Sequence, residues 1–304
     1  MSASAISPKL AAFPKCFMDQ ICLARSMPLL EWIELGATLP VDGLELYSGF
    51  FHAGSAAERQ AELRQVRAAL DRHHLAMPML CHSPDFTQPD PQLRRREIER
   101  QQAELERAAK LGAESCRVLS GQRRPEVEPE EALRWVVECL RALLPAAERL
   151  GVRLALENHY KDNFWQYPEF AQASERFCEI LDRLPSPWLG VQYDPSNALL
   201  AGEDPIALLR RVRARVITMH ASDRRLRPGH SVEELRTLDT GAGYASMLVH
   251  GVIGEGEIDF DAIFALLAES GFRGWVSIED GVNGMDELRR SAEFLRGRLS
   301  RHFR

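Results

Sequence analysis

Short apolar runs alternate with amphipathic stretches along nearly the whole chain. The runs FMDQICL, VDGLELY, LAMPMLCHS, SCRVLSG, VRLALEN, LGVQYD, RVITMH and GWVSIE read as buried parallel strands, because they lack the polar alternation of a half-exposed sheet. Between them lie stretches with helical spacing: PLLEWIELGAT, SAAERQAELRQVRAALDRHH, PQLRRREIERQQAELERAAKLG, PEEALRWVVECLRALLPAAERLG, PEFAQASERFCEILDRL, DPIALLRRVRA, DFDAIFALLAESG and GMDELRRSAEFLRGRL. Gly112, Gly151 and Gly271 stand where left-handed C-caps would close helices. Eight strand–helix units in succession predict an α/β fold, a single-domain (β/α)8 TIM barrel over residues 16–304 preceded by a 1–15 N-terminal extension. A doubly wound sheet is the rival, but no Gly-rich phosphate turn supports it. The rhythm breaks once, at about 224–258, a Gly-rich insertion after the seventh strand that predicts a lid or pocket wall.

Composition narrows the class. The 304 residues are 45% hydrophobic and 27% charged, ordinary for a globular protein, and the net charge of −6 offers no general attraction to nucleic acid or anionic membrane. Six scattered cysteines form no CxxC pair and read as small buried hydrophobes. No run reaches membrane-spanning length and the N-terminus carries no signal-like stretch, so a cytoplasmic location is expected. The partners expected are a small molecule and, as for many barrels, a second copy of the chain in a homo-oligomer.

The chemistry sits at strand ends. LALE ends at Glu157, GVQYD at Asp194, VITMH at His220 and WVSIE at Glu279, on the fifth to eighth strands. Parallel α/β folds place their chemistry at the carboxyl ends of strands, so these four residues read as one divalent-metal site. Three carboxylates suit a hard divalent cation such as Mn²⁺, Mg²⁺ or Co²⁺, and the one imidazole shifts preference toward Mn²⁺, Co²⁺ or Zn²⁺. Such an ion would chelate neighbouring oxygens of a sugar or keto-sugar, with Glu157 and Glu279 on its two sides as an acid/base pair.

With LALENHYKD, VQYDPSN, VITMHASD, GEGEIDF and VSIED in these places, the chain resembles the xylose isomerase-like barrel superfamily, the sugar phosphate isomerase/epimerase group, over nearly its full length. The resemblance implies one catalytic divalent metal, commonly Mn²⁺, on Glu157, Asp194, His220 and Glu279. One departure stands out: where related branches carry a His three residues after the Asp, this chain has Asn197. Together with the lack of further histidines, that argues against the three-zinc endonuclease branch.

Around the four, His82 and Glu45 end the third and second strands and are candidates for substrate contact, as are Asn197, His159 on the loop after Glu157, and Arg224 at the start of the insertion. Lys161 shares that loop with His159, Trp165 and Tyr167 could stack on a sugar face, and Asp223 could orient a neighbour or cap a turn. The leading expectation is a sugar or keto-sugar isomerase or epimerase. The alternative is a lyase or dehydratase of a keto-sugar, keto-inositol or C-glycoside, distinguished by loss of mass. A non-catalytic sugar-binding barrel comes third and would bind no metal.

Overall fold

The computed structural model describes residues 7–162, 164–235 and 247–303. Nine short strands lie in one parallel sheet: β1 (Lys9–Ala12), β2 (Gly43–Leu44), β3 (Leu46–Tyr47), β4 (Met79–Cys81), β5 (Ser115–Val118), β6 (Arg153–Glu157), β7 (Leu189–Tyr193), β8 (Val216–Ala221) and, last in the chain, β11 (Trp275–Ile278). Their order, β2-β1-β11-β8-β7-β6-β5-β4-β3, curls the sheet round on itself. β2 pairs with β1 and β3 with β4, so the two are halves of one stave joined through Glu45, and the nearly closed barrel has eight positions. Two further strands, β9 (Arg224–Leu226) and β10 (Leu248–His250), pair antiparallel outside it.

Helices α1 (Leu29–Gly36), α2 (Ala56–Arg72), α3 (Pro91–Leu111), α4 (Pro129–Leu150), α5 (Ser174–Asp182), α6 (Pro195–Leu200), α7 (Pro205–Val212), α8 (Val232–Leu235), α9 (Phe260–Glu269) and α10 (Met285–His302) fill the connections. Their starts follow capping chemistry. Ser55 and Glu58 close a capping box on α2, and Asp90, Asp204 and Asp259 accept backbone N–H bonds at the starts of α3, α7 and α9. Gly112 (φ 79°) and Gly151 (φ 67°) end α3 and α4 in the left-handed conformation that glycine adopts without a Cβ clash.

Alternation along each strand divides the core in two. Leu154 and Leu156 of β6 point outward into the continuous core shared with the helices, while Ala155 joins Met79 and Cys81 in a separate small cluster. Trp275 lies at the start of β11, its indole N–H donating to Glu114 Oε1 at 3.1 Å, and a Cβ on Gly43 would stand 3.1 Å from its ring. Small inward residues and this indole fill the lower barrel, which leaves the C-terminal mouth for polar side chains. Among the described residues, no helix is long and apolar enough to cross a membrane.

Three expectations need correction. The first strand is not FMDQICL but Lys9–Ala12, inside the stretch assigned to an N-terminal extension; its register with β11 and β2 makes those residues part of the barrel. Residues 15–17 and 19–23 instead wind into a 3₁₀ turn and a π turn, in which only Ile21 is buried, because Asp19 and Gln20 interrupt the apolar face. The helix read from PEFAQASERFCEILDRL starts only at Ser174, since residues 168–170 pair with the stretch beyond β5 through Arg123 N–H to Pro168 O and Phe170 N–H to Gly121 O. The insertion forms the β9–β10 hairpin and the short α8, its segment 236–246 lying outside the described residues.

Candidate metal centre

Strand geometry brings Glu157, Asp194, His220 and Glu279 to one place, with a ligand atom from each lying within 4.8 Å of every other. Glu157 closes β6, His220 is the fifth residue of β8, and Glu279 follows β11 with its N–H on Ala221 O at 3.0 Å. Asp194 plays two parts. Its Oδ1 caps α6, accepting from the N–H groups of Ser196 (2.8 Å) and Asn197 (3.2 Å) and from Ser196 Oγ (3.0 Å). Its Oδ2 is buried with no partner at all. A buried carboxylate oxygen without a donor, crowded by two other carboxylates, is an arrangement that a cation satisfies.

His220 is held as a ligand would be. Its Nε2 lies 2.7 Å from Glu45 Oε1, which fixes a proton on that nitrogen and leaves Nδ1 facing Glu157 Oε1 (3.1 Å) and Glu279 Oε2 (3.4 Å). Glu45 is fully buried, and its Oε1 also accepts from Cys81 Sγ at 2.9 Å. Glu45 Oε1 is thus engaged at the back of His220, while its Oε2 is buried without a partner. Burial, and then the Glu45 carboxylate, push the Cys81 thiol up to about 12, so it is a donor here and not a thiolate ligand.

Two cations anchor the outer oxygens of the glutamates. Arg117, buried in the middle of β5, donates from Nη1 to Glu157 Oε2 (2.9 Å), from Nη2 to Ser83 Oγ (2.9 Å) and from Nε to the His82 carbonyl (3.4 Å). Lys15, just beyond β1, donates to Glu279 Oε1 at 3.1 Å. Burial opposes ionisation of both glutamates. Arg117 and His220 still hold Glu157 below the usual carboxylate range, and Lys15 and His220 hold Glu279 well below it. Asp194 has no such partner: burial first, then the Glu279 and Glu157 charges, raise it to about 7. Burial alone would depress His220, but Glu45, Glu279 and Glu157 together raise it well above its ordinary value.

A cavity of about 330 Å³ opens beside these groups, lined among others by Lys15, Tyr47, Arg117, His159, Lys161 and Glu279. Phe164, 59% exposed, forms part of its rim, a place the sequence suggested for Trp165 or Tyr167. His159 reaches the cavity with its Nδ1 3.7 Å from Glu169 Oε2. Burial would depress this imidazole, yet the Glu157 and Glu169 carboxylates raise it. Glu169 is itself fully buried and held by Ser120 N–H (2.7 Å) and Oγ (2.5 Å).

The other candidates are placed less directly. His82 packs its Nδ1 on Ser48 Oγ at 2.8 Å, and burial, followed by the Arg117 charge, depresses it to about 4, so it is neutral at ordinary pH. Asn197 is buried in the first turn of α6, where its backbone N–H serves Asp194. Arg224 is buried against Asp280, Nη1 to Oδ2 at 3.2 Å, and donates to Ser222 Oγ at 2.9 Å, which makes it a structural ion pair before anything else. Asp223 accepts the backbone N–H groups of Gly254 (2.8 Å), Gly256 (3.0 Å) and Ile258 (3.2 Å), so it closes the far end of the insertion and does not orient a ligand.

Sequence reasoning missed Lys15, Arg117 and Glu169. Arg117 left a readable trace, since a charged residue inside the apolar run SCRV requires a buried partner. Lys15 was hidden by the misplaced first strand, and Glu169 by the helix pattern that ran over it.

Comparison with known proteins places this geometry. The family described as a xylose isomerase-like TIM barrel matches residues 33–298. Over 147 residues the chain is 30% identical to an inosose dehydratase of Geobacillus kaustophilus (strain HTA426), a match covering 47% of this chain and 44% of that protein. The chain thus spans less than half the length of that curated relative. Among solved structures, the IolI protein with a binding zinc atom superposes with a TM-score of 0.72 at 19% identity, covering 97% of this chain and 99% of the other. An L-ribulose 3-epimerase does so with a TM-score of 0.73 at 14% identity, covering 97% and 95%. At these identities the two structures establish the fold.

Proposed function

The chain belongs to the xylose isomerase-like TIM barrel family, and from that premise we propose that it is a divalent-metal-dependent enzyme that removes a proton beside the carbonyl of a small polyhydroxylated ketone. The observation that carries this reading is the buried, unpartnered Asp194 Oδ2 among ligand atoms of Glu157, His220 and Glu279. Those four residues would hold the ion, Mn²⁺ foremost given three oxygens and one nitrogen. When bound, such an ion supplies Lewis acidity for negative charge that develops on a carbonyl oxygen.

The two glutamates are not equivalent. Glu157 is fully buried and tied to Arg117, a guanidinium that does not give up its proton, which suits an anchor. Glu279 lines the cavity and shares its outer oxygen with Lys15, an ammonium that is partly exposed. Glu279 is therefore the residue that takes the proton from carbon. The C–H electrons form the new double bond, the β C–O bond breaks, and Lys15 hands a proton to the departing hydroxyl, which leaves as water. Dehydration is the outcome this asymmetry favours, in keeping with the partial match to an inosose dehydratase. Epimerisation is the second reading, favoured by the presence of both glutamates in one ligand cluster, where a second carboxylate could return the proton.

The Mn²⁺-loaded protein incubated in D₂O with 2-keto-myo-inositol and with D-fructose tests both. Dehydration removes one water from the substrate mass, and epimerisation keeps the mass apart from one deuterium. Glu279→Gln should lower turnover at least about a thousandfold, within the range typical of a lost general base. Neither mass change with the loaded wild type, or wild-type rates in Glu279→Gln, sinks the reading.

A further inference from the structure

A second cavity, of about 490 Å³, lies on the β9–β10 hairpin, and its ionisable lining residues are all basic: Arg224, Arg225, Arg227 and His250. Val282 and Asn283, on the loop after β11, complete its wall. Arg225 and Arg227 are exposed, and among the described residues neither guanidinium has a hydrogen-bond or ion-pair partner. Arg224 is buried, and its Nε likewise lacks one. Exposed arginines are often merely solvated, but Arg225 and Arg227 stand two residues apart beside a cavity with no acidic lining, where their uncompensated charges favour an anion between them.

The place also fits. Val282 lines this cavity and the one that holds Glu279 and Lys15, so the two share a wall. Asp280, which directly follows Glu279 in the chain, binds Arg224 at 3.2 Å, so one lining residue of the basic cavity is tied to the backbone next to a proposed metal ligand. Loops after the seventh and eighth barrel strands are where TIM barrels often bind phosphate. Guanidinium forks match the paired oxygens of phosphates and carboxylates.

We propose that Arg225 and Arg227, with Arg224 behind them, form an oxyanion subsite, and that the substrate carries a phosphate ester or carboxylate at the end remote from its carbonyl. The second half of this rests on the metal-site reading above; the subsite itself does not. The full chain is titrated calorimetrically with inorganic phosphate after metal removal, so that phosphate cannot bind to a metal. The Mn²⁺-loaded chain is then titrated with D-fructose 6-phosphate, D-glucuronate and D-fructose. Wild type should bind phosphate when metal-free, and when loaded should bind one or both anionic sugars at least tenfold more tightly than D-fructose. Arg225→Gln/Arg227→Gln should lose both effects while keeping its far-ultraviolet circular dichroism and its Mn²⁺ content. An advantage for the phosphate ester alone assigns a phosphate, and an equal one for glucuronate assigns a carboxylate. Phosphate binding by the metal-free chain that survives in the double variant, or no anion advantage in wild type, overturns the proposal. A chain that takes up no Mn²⁺ yet binds phosphate through these arginines would sink the metal reading and leave the subsite standing.

Discussion

Asp194→Asn should stabilise the metal-free protein while abolishing its response to metal. The amide keeps an oxygen where Oδ1 accepts from Ser196 and Asn197, so the cap of α6 survives, and it replaces the unpartnered Oδ2 with a donor facing two carboxylates. The magnitude follows from linkage. Asp194 titrates near 7 in the fold, against about 3.9 in an unfolded chain, so the native state holds the extra proton. The associated stability is fully present below pH ~4 and is lost as the pH rises through 7. At pH 8 the wild type has lost the whole of it, roughly 3 pKa units or about 4 kcal/mol as a ceiling; at pH 5 it has lost only about 1.5 kcal/mol.

For a chain of 304 residues, with an unfolding entropy of about 2.1 cal/mol/K per residue, 4 kcal/mol corresponds to roughly 6 °C in Tm. Thermal unfolding in a chelator should therefore place Asp194→Asn above wild type by several degrees at pH 8 and by much less at pH 5. Mn²⁺ at a hundredfold excess over its Kd adds about 2.7 kcal/mol to wild type, about 4 °C, and little to the variant. Equal Tm values for the two proteins in chelator at pH 8, or equal gains with Mn²⁺, would refute the reasoning.

Two other substitutions probe the groups that hold the ligands. Glu45→Gln weakens the acceptor on His220 Nε2 and should lower Mn²⁺ affinity about 10–100-fold, as read by equilibrium dialysis; unchanged affinity would mean that Glu45 does not orient the imidazole. Arg117→Met strips Glu157 Oε2 of its partner in a buried site and should cost about 3–5 kcal/mol in chelator, measured by urea unfolding. Arg117→Lys should recover little of that, because one ammonium cannot span Glu157, Ser83 and the His82 carbonyl as the guanidinium does, and full recovery would contradict this account.

What was legible in the sequence depended on period and position. Strands such as LALE and VITMH read correctly because both sides of a parallel strand are buried and the polar residue falls at its end. The first strand was illegible because Lys9–Ala12 is short and alanine-rich, while the more apolar FMDQICL drew the assignment forward. The four residues of the candidate metal cluster could be found because each sits at the end of a strand, a position the topology makes equivalent. Glu45 was singled out on the same grounds, but its hold on His220 was not foreseen, since nothing local says whether a strand-end carboxylate faces a cavity or the back of a histidine. The ion pair of Arg224 with Asp280 was not foreseen because the two are distant in sequence. Contacts of this kind are set by barrel closure, which periodicity does not encode.

The same closure decides how much charge the mouth of the barrel can take. Glu45, Glu157, Asp194 and Glu279 supply four carboxylates, and Arg117 and Lys15 supply two fixed cations, all linked through His220 or a direct ion pair. With every carboxylate ionised and His220 neutral, the cluster is short of two positive charges, the charge of one divalent ion. Without the ion, and beside the two fixed cations, His220 and Asp194 both have raised proton affinity, so two protons stand in for the metal. Binding must displace them, because an imidazole ligand has to be neutral and a carboxylate ligand ionised. Calorimetric titration of Mn²⁺ at pH 6 in buffers of different ionisation enthalpy should accordingly read close to two protons released per ion. By pH 8 the proton on Asp194, held with a pKa of about 7, is mostly gone, and the count should fall towards the one contributed by His220. A count near zero at pH 6, or one that does not change between the two pH values, would mean that the carboxylates and His220 are not the groups that receive the ion.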